Sequence, residues 1–408
     1  MATNWTVGEA LRARGVRPFL TVFLLDGLAD LLWWISLAWV TSSKGAAGGL
    51  VLAIVGVVTA VAIVPGGHLA TRVGPAKVAR WSIRVRAAVL LLWGMGVVAS
   101  GDKANLWLVA GLAIPLAVVD GYHLPAMESV QLALLPAKAQ SVATGLERLC
   151  NRVAQSGAAF LAVIFLDPGQ VAVVSGVLLL LSIPLIRRFA PREIDAEPPE
   201  EAATSLLAGI RSVAHDRVLR ISVPAHGAYN LLTGALMLVL LPLLVRSEGW
   251  GPQAYRWIAG AWGVGLLIGT VGGLVWPNFP RRGRPAAAML LAAAVGAVSL
   301  TLAWSPVAVG AAAAAAVMGV LSGPIGQLMQ GLIRERAADL PEGPSVVAVG
   351  TFAIVGLDPL GFAIGAAAAA LLSARWGFAT VGVVIVALGM RAGVSRRLRR
   401  LPHFQRPR

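Results

Sequence analysis

The sequence predicts an all-α membrane protein made of two pseudo-symmetric six-helix bundles, about twelve transmembrane helices in all, with both termini in the cytoplasm. Three observations predict it. The 408 residues are 57% hydrophobic and only 13% charged, with a mean hydropathy of +0.78, whereas about a quarter of a soluble domain's residues are charged. Apolar windows of roughly 18 to 25 residues recur from end to end, each about long enough to cross ~30 Å of hydrocarbon as a helix. One long polar stretch divides these windows into two sets of six. Such a composition excludes a soluble enzyme, a disordered chain and a coiled coil.

In chain order, the first half places spans at 18–41, 47–66, 82–100, 104–124, 143–166 and 170–186. The second places them at 219–245, 255–275, 285–304, 307–329, 346–373 and 376–393. Span 307–329 contains the alanine run Ala311–Ala316, which suits close packing between membrane helices. The divider opens with Arg187 and Arg188 and passes through the acidic, proline-bearing 195–201. It ends on the amphipathic segment 205–220, expected to lie along the membrane surface. The expected organisation is a first bundle over 1–186, a cytoplasmic linker over 187–218, and a second bundle with a basic tail over 219–408.

The net charge of +15 comes from 34 Lys and Arg against 19 Asp and Glu. Such a balance first suggests nucleic acid, but the positions of the cations argue for a membrane. With both termini inside, 27 of the 34 fall in inner segments, including the whole run from Arg72 to Arg86. Five fall outside (Lys44, Lys103, Arg246, Arg256 and Arg375), and Arg148 and Arg152 lie within a span. This is the asymmetry of the positive-inside rule. Trp39, Trp107, Trp250, Trp257, Trp304 and Trp376 sit at the predicted outer edges, as an aromatic belt does. The partners expected are therefore membrane lipids, and not nucleic acid.

The lone Cys150 excludes an internal disulfide framework and a cysteine-based zinc cluster. Arginine dominates the cations, beside much Ala, Gly and Val, which points to a GC-rich bacterial source. No cleavable signal peptide is visible. Internal repetition supports the two halves: Gly66-Gly67 ends the second span and Gly272-Gly273 the eighth, each followed by a basic segment. Pro125 and Pro324 occupy matching places near the ends of spans four and ten.

The segment Gly67-His68-Leu69-Ala70-Thr71-Arg72-Val73-Gly74-Pro75-Ala76-Lys77 resembles the signature that joins helices two and three in the major facilitator superfamily. Gly67, Leu69, Ala70, Arg72, Gly74 and Lys77 fit it, and Thr71 stands at its acidic position. The run from Leu124-Pro125-Ala126 through Leu135-Pro136 to Ala143-Thr144-Gly145 is similar to the superfamily's bacterial branch of twelve-helix drug and siderophore exporters. So are Leu241 to Val245 and Gly263-Val264-Gly265. The Gly-x-x-x-Gly-Pro motif expected in helix five is missing around Gly157. The resemblance implies a secondary transporter in a bacterial cytoplasmic membrane, with Gly67, Arg72, Gly74 and Lys77 in a gating loop.

Ionisable groups inside spans are costly in hydrocarbon and mark ion or substrate paths. Asp26 and Asp30 in span one share a helix face and form the expected proton-coupling pair, joined by Asp358 of span eleven, directly before Pro359. Asp120 and Arg148 are placed ~6–8 Å from the cytoplasmic edge of spans four and five and are expected to pair, with Arg152 deeper in the same charge network. Glu147 lies beside them, His123 is placed near the interface as a pH-sensing group, and Glu128 just beyond it. For Asp26, Asp30 and Asp120 a static structural role is the competing reading, and for Asp358 it is a solvated residue lining the cavity.

If spans one, four, seven and ten line a cavity, as the resemblance implies, Trp33, Trp34, His226, Asn230, Gln327 and Gln330 would meet a substrate. Abundant apolar surface beside few acids suits a small lipophilic molecule, neutral or cationic, while Arg152 would suit an anion. No metalloprotease, nucleophile-elbow, P-loop or dinucleotide motif occurs in a suitable context, so no enzyme, metal or cofactor is expected. The leading expectation is a proton-coupled exporter working by alternating access. Its rivals are an uptake symporter of the same fold and a non-transporting membrane protein with a degenerate version of it.

Overall fold

The computed structural model describes residues 7–13, 15–100, 106–134, 140–164, 167–189, 206–275, 284–337, 340 and 343–394, and among these every regular element is helical. The first part of the chain forms α1 (Val7–Arg12), α2 (Val16–Ser42), α3 (Ala46–Val73), α4 (Pro75–Ser100), α5 (Leu106–Leu134), α6 (Gln140–Ile164) and α7 (Pro168–Phe189). The second part forms α8 (Leu206–His215), α9 (Leu219–Gly234), α10 (Leu241–Ser247), α11 (Gly251–Val275), α12 (Arg284–Ala303), α13 (Ala308–Ala337), α14 (Gly343–Thr351), α15 (Asp358–Leu372) and α16 (Ala374–Val394). Ten helices among the described residues are long and apolar enough to cross a membrane. Helices α6 and α11 overlie the residues expected for the fifth and eighth spans but are not among these ten.

Two compact units result. One comprises Met1–Lys44 and Ile54–Glu200; the other comprises Gly45–Ala53 and Glu201–Arg408. In the first unit α2 packs on α6 and α7, and α4 on α5 and α7. Trp33 and Trp93 meet edge to face with ring centroids 4.8 Å apart, sealing α2 against α4. Helix α3 passes α5 at Gly66 and Gly121. A Cβ on Gly66 would lie 2.6 Å from the Gly121 carbonyl oxygen, so only glycine permits that approach.

Two sequence boundaries are corrected. Pro125 does not end the fourth span: α5 carries both Pro115 and Pro125 inside it and runs to Leu134, since a membrane helix tolerates the lost donor. The segment Gly67–Lys77 is hardly a loop either. Helix α3 continues to Val73 with Pro65 inside it, and Gly74 at φ 97° is the one residue between α3 and α4. A left-handed conformation there needs no Cβ, which is why the turn can be so short.

In the second unit α11 packs most extensively on α13, and α12 on α16. The α11–α13 seam is built of Gly265 and Gly269 against Gly319 and Gly323, each with its neighbour's backbone where a Cβ would stand. Helix α9 runs into a π-helical stretch, Ala235–Leu240, before α10; Pro242 follows, removing a donor from the ladder. A second π-helical stretch, Phe352–Gly356, separates α14 from α15. The two are placed reciprocally: 352–356 packs on α9 and 235–240 on α15.

Helix α8, expected on the membrane surface, turns one face to the protein. Gly209 abuts the Ser345 backbone of α14, and Val213 joins a cluster with Leu219, Val223, Ile333 and Val346. Leu207 and Ile210 on the other face are exposed. Asp216 then caps α9, accepting the N–H groups of Val218 (2.8 Å) and Leu219 (2.9 Å). Its other oxygen accepts Arg336 Nε at 2.6 Å. Of the edge tryptophans, Trp107, Trp257, Trp304 and Trp376 are exposed, whereas Trp39 is buried.

Candidate functional site: a buried guanidinium among three carboxylates

The acids of the first unit converge on Arg86, counted above with the basic residues of an inner segment. Arg86 lies eleven residues into α4, ~16 Å from its start, and is 1% exposed. Its Nη1 donates to Asp26 Oδ1 and its Nη2 to Asp30 Oδ1, while Nε forms an ion pair with Asp120 Oδ1. Asp26 and Asp30 come from α2, Asp120 from α5. Counted from the matching ends of the three helices, these groups all lie ~15–21 Å deep. One guanidinium can serve three carboxylates because it presents five N–H donors in a fixed plane.

Two expectations are thereby corrected. Asp120 was placed near an edge; it lies well inside because α5 continues past Pro125, and it forms an ion pair with Arg86. The pairing expected with Arg148 falls on a side chain outside the described residues. Arg86 itself was counted with the basic residues of an inner segment, which leaves 26 there rather than 27. It escaped notice because Arg80, Arg84 and Arg86 follow one another closely. The signal that would have found it is the unbalanced charge of three intramembrane acids.

His123 completes the cluster. It is 1% exposed, inside the bundle and not at an interface, because α5 extends eleven residues beyond it. Its Nε2 lies 3.1 Å from Asp26 Oδ2 and its Nδ1 2.8 Å from Ser82 Oγ. Ser82 Oγ also stands 3.0 Å from the Ala79 carbonyl, and the hydroxyl has only one proton to donate. With Asp26 ionised, a neutral His123 gives its Nε2–H to Asp26 and draws the Ser82 proton to Nδ1. A protonated His123 donates from both nitrogens, and the Ser82 proton turns to Ala79. The charge state of the ring therefore sets the rotor of Ser82.

With His123 neutral and every acid ionised, the cluster carries three negative charges against one positive. Two protons bring it to neutrality. Asp30 is the member most open to its surroundings: its side chain is 37% exposed, against 12% for Asp26 and 17% for Asp120.

Half-buried Arg152 donates to Gln155 Oε1 at 2.7 Å along α6. Trp33 is 2% exposed in the Trp93 contact, so it is packed into the first unit; Trp34 next to it is half-buried. Glu128 is exposed and Glu147 half-buried. Gly67 is helical in α3, and Arg72 and Lys77 flank Gly74 with exposed side chains.

In the second unit Asp358 opens α15 directly after the π-helical stretch. It makes no hydrogen bond or ion pair among the described residues. Its Oδ1 faces Gly234 of α9, 3.8 Å from where a Cβ would lie, with Phe362 alongside. His226 is buried, and half-buried Asn230 donates to its carbonyl at 3.2 Å. Gln327 donates to the Thr270 carbonyl at 2.9 Å, tying α13 to α11, and Gln330 is half-buried. Tyr229 donates to Ser322 Oγ at 2.7 Å, a link between α9 and α13 that no sequence pattern announced. Among the described residues no group of three or more His, Cys, Asp or Glu is arranged for a metal ion.

The model of the Major Facilitator Superfamily matches residues 19–357. The chain belongs to that superfamily. Solved facilitators with the same fold include the nucleoside transporter NupG, with a TM-score of 0.67 at 11% identity over 92% of this chain and 98% of that one. A peptide transporter, POT, in complex with sulfate gives a TM-score of 0.65 at 12% identity over 95% of each chain. Among curated proteins, none matches. The facilitator fold makes this a multi-pass membrane transporter and not an enzyme.

Proposed function

We propose that this facilitator is a proton-coupled secondary transporter that exports a small lipophilic organic molecule across a bacterial cytoplasmic membrane. Its helices make twelve spans with both termini inside, α6 and α11 supplying the fifth and eighth, and the two six-helix halves alternate access around a midplane site. The observation that carries this reading is the Arg86 cluster. Three carboxylates share one guanidinium at mid-depth, where an uncompensated charge is expensive, so the site has a use for protons.

Asp30 is the entry point. A proton on Asp30 cancels its claim on Arg86 Nη2, and Arg86 is then held by Asp26 and Asp120 alone. That redistribution between α2 and its neighbours α4 and α5 is the differential interaction that shifts a two-state equilibrium. Asp358 serves as a second titrating acid, Arg148 and Arg152 extend the charge network, and His226, Asn230, Gln330, Gln327 and Trp34 are the substrate contacts offered. The apolar character of the spans, with few acids, supports a lipophilic substrate, and the resemblance of the runs from Leu124 to Gly145 and from Leu241 to Val245 supports the drug and siderophore efflux branch.

The test is transport by the reconstituted protein under an imposed proton gradient, with Asp30→Asn beside the wild type. Gradient-driven flux should be lost in the variant while substrate exchange without a gradient persists. Wild-type net flux in Asp30→Asn, or wild-type flux indifferent to an uncoupler, would sink the coupling assignment. Flux only toward the proton-poor side would turn export into uptake.

A further inference from the structure

The second unit holds a crevice of about 530 Å³ between α9, α12 and α16, within the ~300–1,000 Å³ usual for small-ligand sites. We propose that it binds one anionic phospholipid, with an acyl chain along its apolar walls and the phosphate on Arg391. Among the described residues, Arg391 is the only charged one in the lining; Ile221, Ala225, Met289, Ala292 and Leu388 represent the rest. The one other polar lining group, the Tyr229 hydroxyl, is already committed to Ser322.

Charge complementarity selects the headgroup. The sequences of α9, α12 and α16 contain no Asp or Glu, so among the described residues no acid on these walls neutralises Arg391. On the adjoining α15, Asp358 faces Gly234, ~20 Å along α9 from Ile221. Exposed Arg220 stands at the start of α9, one residue from the lining.

Depth selects a lipid over a soluble anion. Helices α9 and α12 begin at the end of the unit where α16 finishes, and Arg391 lies in the last turn of α16. The cation is therefore at the level of the helix ends, where phosphates of a bilayer sit. From there the walls run inward through Ile385 and Leu232, ~9 Å from Arg391 and ~16 Å from Ile221 along their helices. A charged head at the rim and an apolar track toward mid-depth describe an amphiphile. Leu388 of the lining and two chain-neighbours of lining residues, Leu290 and Met390, are 43%, 38% and 46% exposed, an apolar surface suited to hydrocarbon.

The site stands independently of proton coupling, and binding tests it. Native mass spectrometry of the full chain would compare phosphatidylglycerol with phosphatidylcholine of identical chains. The wild type should retain phosphatidylglycerol about fivefold more strongly, the contribution of one arginine near an anionic lipid. Arg391→Gln should bring the two lipids to parity, and Ala292→Phe, which fills the crevice, should weaken both. Ala225→Leu repeats the filling test from another wall if Ala292→Phe unfolds early. Equal retention by the wild type overturns the proposal, as does a preference that survives Arg391→Gln. Displacement of the lipid by inorganic phosphate alone would overturn the role of the acyl chain.

Discussion

His123 Nε2 lies 3.1 Å from Asp26 Oδ2, joining α5 to α2 across 97 residues of sequence. The other ring nitrogen depends on Ser82, and water has little access to either. Ser82→Ala should therefore cost about 1–3 kcal/mol, the cost of a buried polar atom left without a partner. In a His123→Leu background the same change should cost much less, and the difference should exceed ~0.5 kcal/mol. Denaturant unfolding of the four proteins in detergent measures it; simple additivity would mean that the two side chains do not depend on each other.

Arg86→Met should destabilise the first unit by about 3–5 kcal/mol, because it strands three carboxylates away from water. Arg86→Lys should recover only part of this, since a single ammonium lacks the planar fork that reaches three acids. Combining Arg86→Met with Asp26→Asn, Asp30→Asn and Asp120→Asn should restore much of the loss, and acidic pH should do the same for Arg86→Met alone. A quadruple variant as unstable as the single one would show that packing, not charge, holds the cluster.

Asp216 makes a pH prediction outside the membrane spans. Burial alone raises its carboxyl, but the Leu219 amide, the Arg336 guanidinium and the Val218 amide outweigh that and hold it below the ordinary 3.8. A carboxyl depressed in the folded state adds stability that is complete above 3.8 and disappears as pH falls through the lower folded value. Asp216→Ala should cost ~1 kcal/mol as a lost helix cap. Amide exchange at Val218 and Leu219 should speed up in the variant at neutral pH, and in the wild type only under strong acid.

The glycines divide into two predicted classes. Gly319→Ala drives a Cβ into the Trp262 carbonyl, so α11 and α13 must part and thermal stability should fall. Gly111→Ala meets nothing within 4 Å and should be neutral or gain up to ~1 kcal/mol from the stiffer backbone. Equal melting shifts for the two would contradict the described seam.

The spans were legible because hydropathy is a local property, readable from each window alone. The α5 boundary was not, because Pro125 is a stop signal in water and a tolerated residue among packed membrane helices. Asp26, Asp30 and Asp120 were found as acids out of place, but their common partner was hidden by a rule that holds on average. Basic residues near a helix start usually mark the inner side, and Arg86 sits at the end of such a run, just deep enough to be something else. The two π-helical stretches left only Pro242 and Pro359 as traces.

The reciprocal setting of those π-helical stretches has a mechanical consequence. A π turn holds one residue more than an α turn, so a stretch that sheds its surplus rotates everything beyond it by ~100° about the helix axis. For 352–356, the rotation would carry Leu357 and then Asp358, which opens α15, away from its place facing Gly234. The glycine seam of α11 and α13 stores no surplus of this kind. Shedding either surplus would turn α9 or α15 about its own axis while leaving the α11–α13 seam in register.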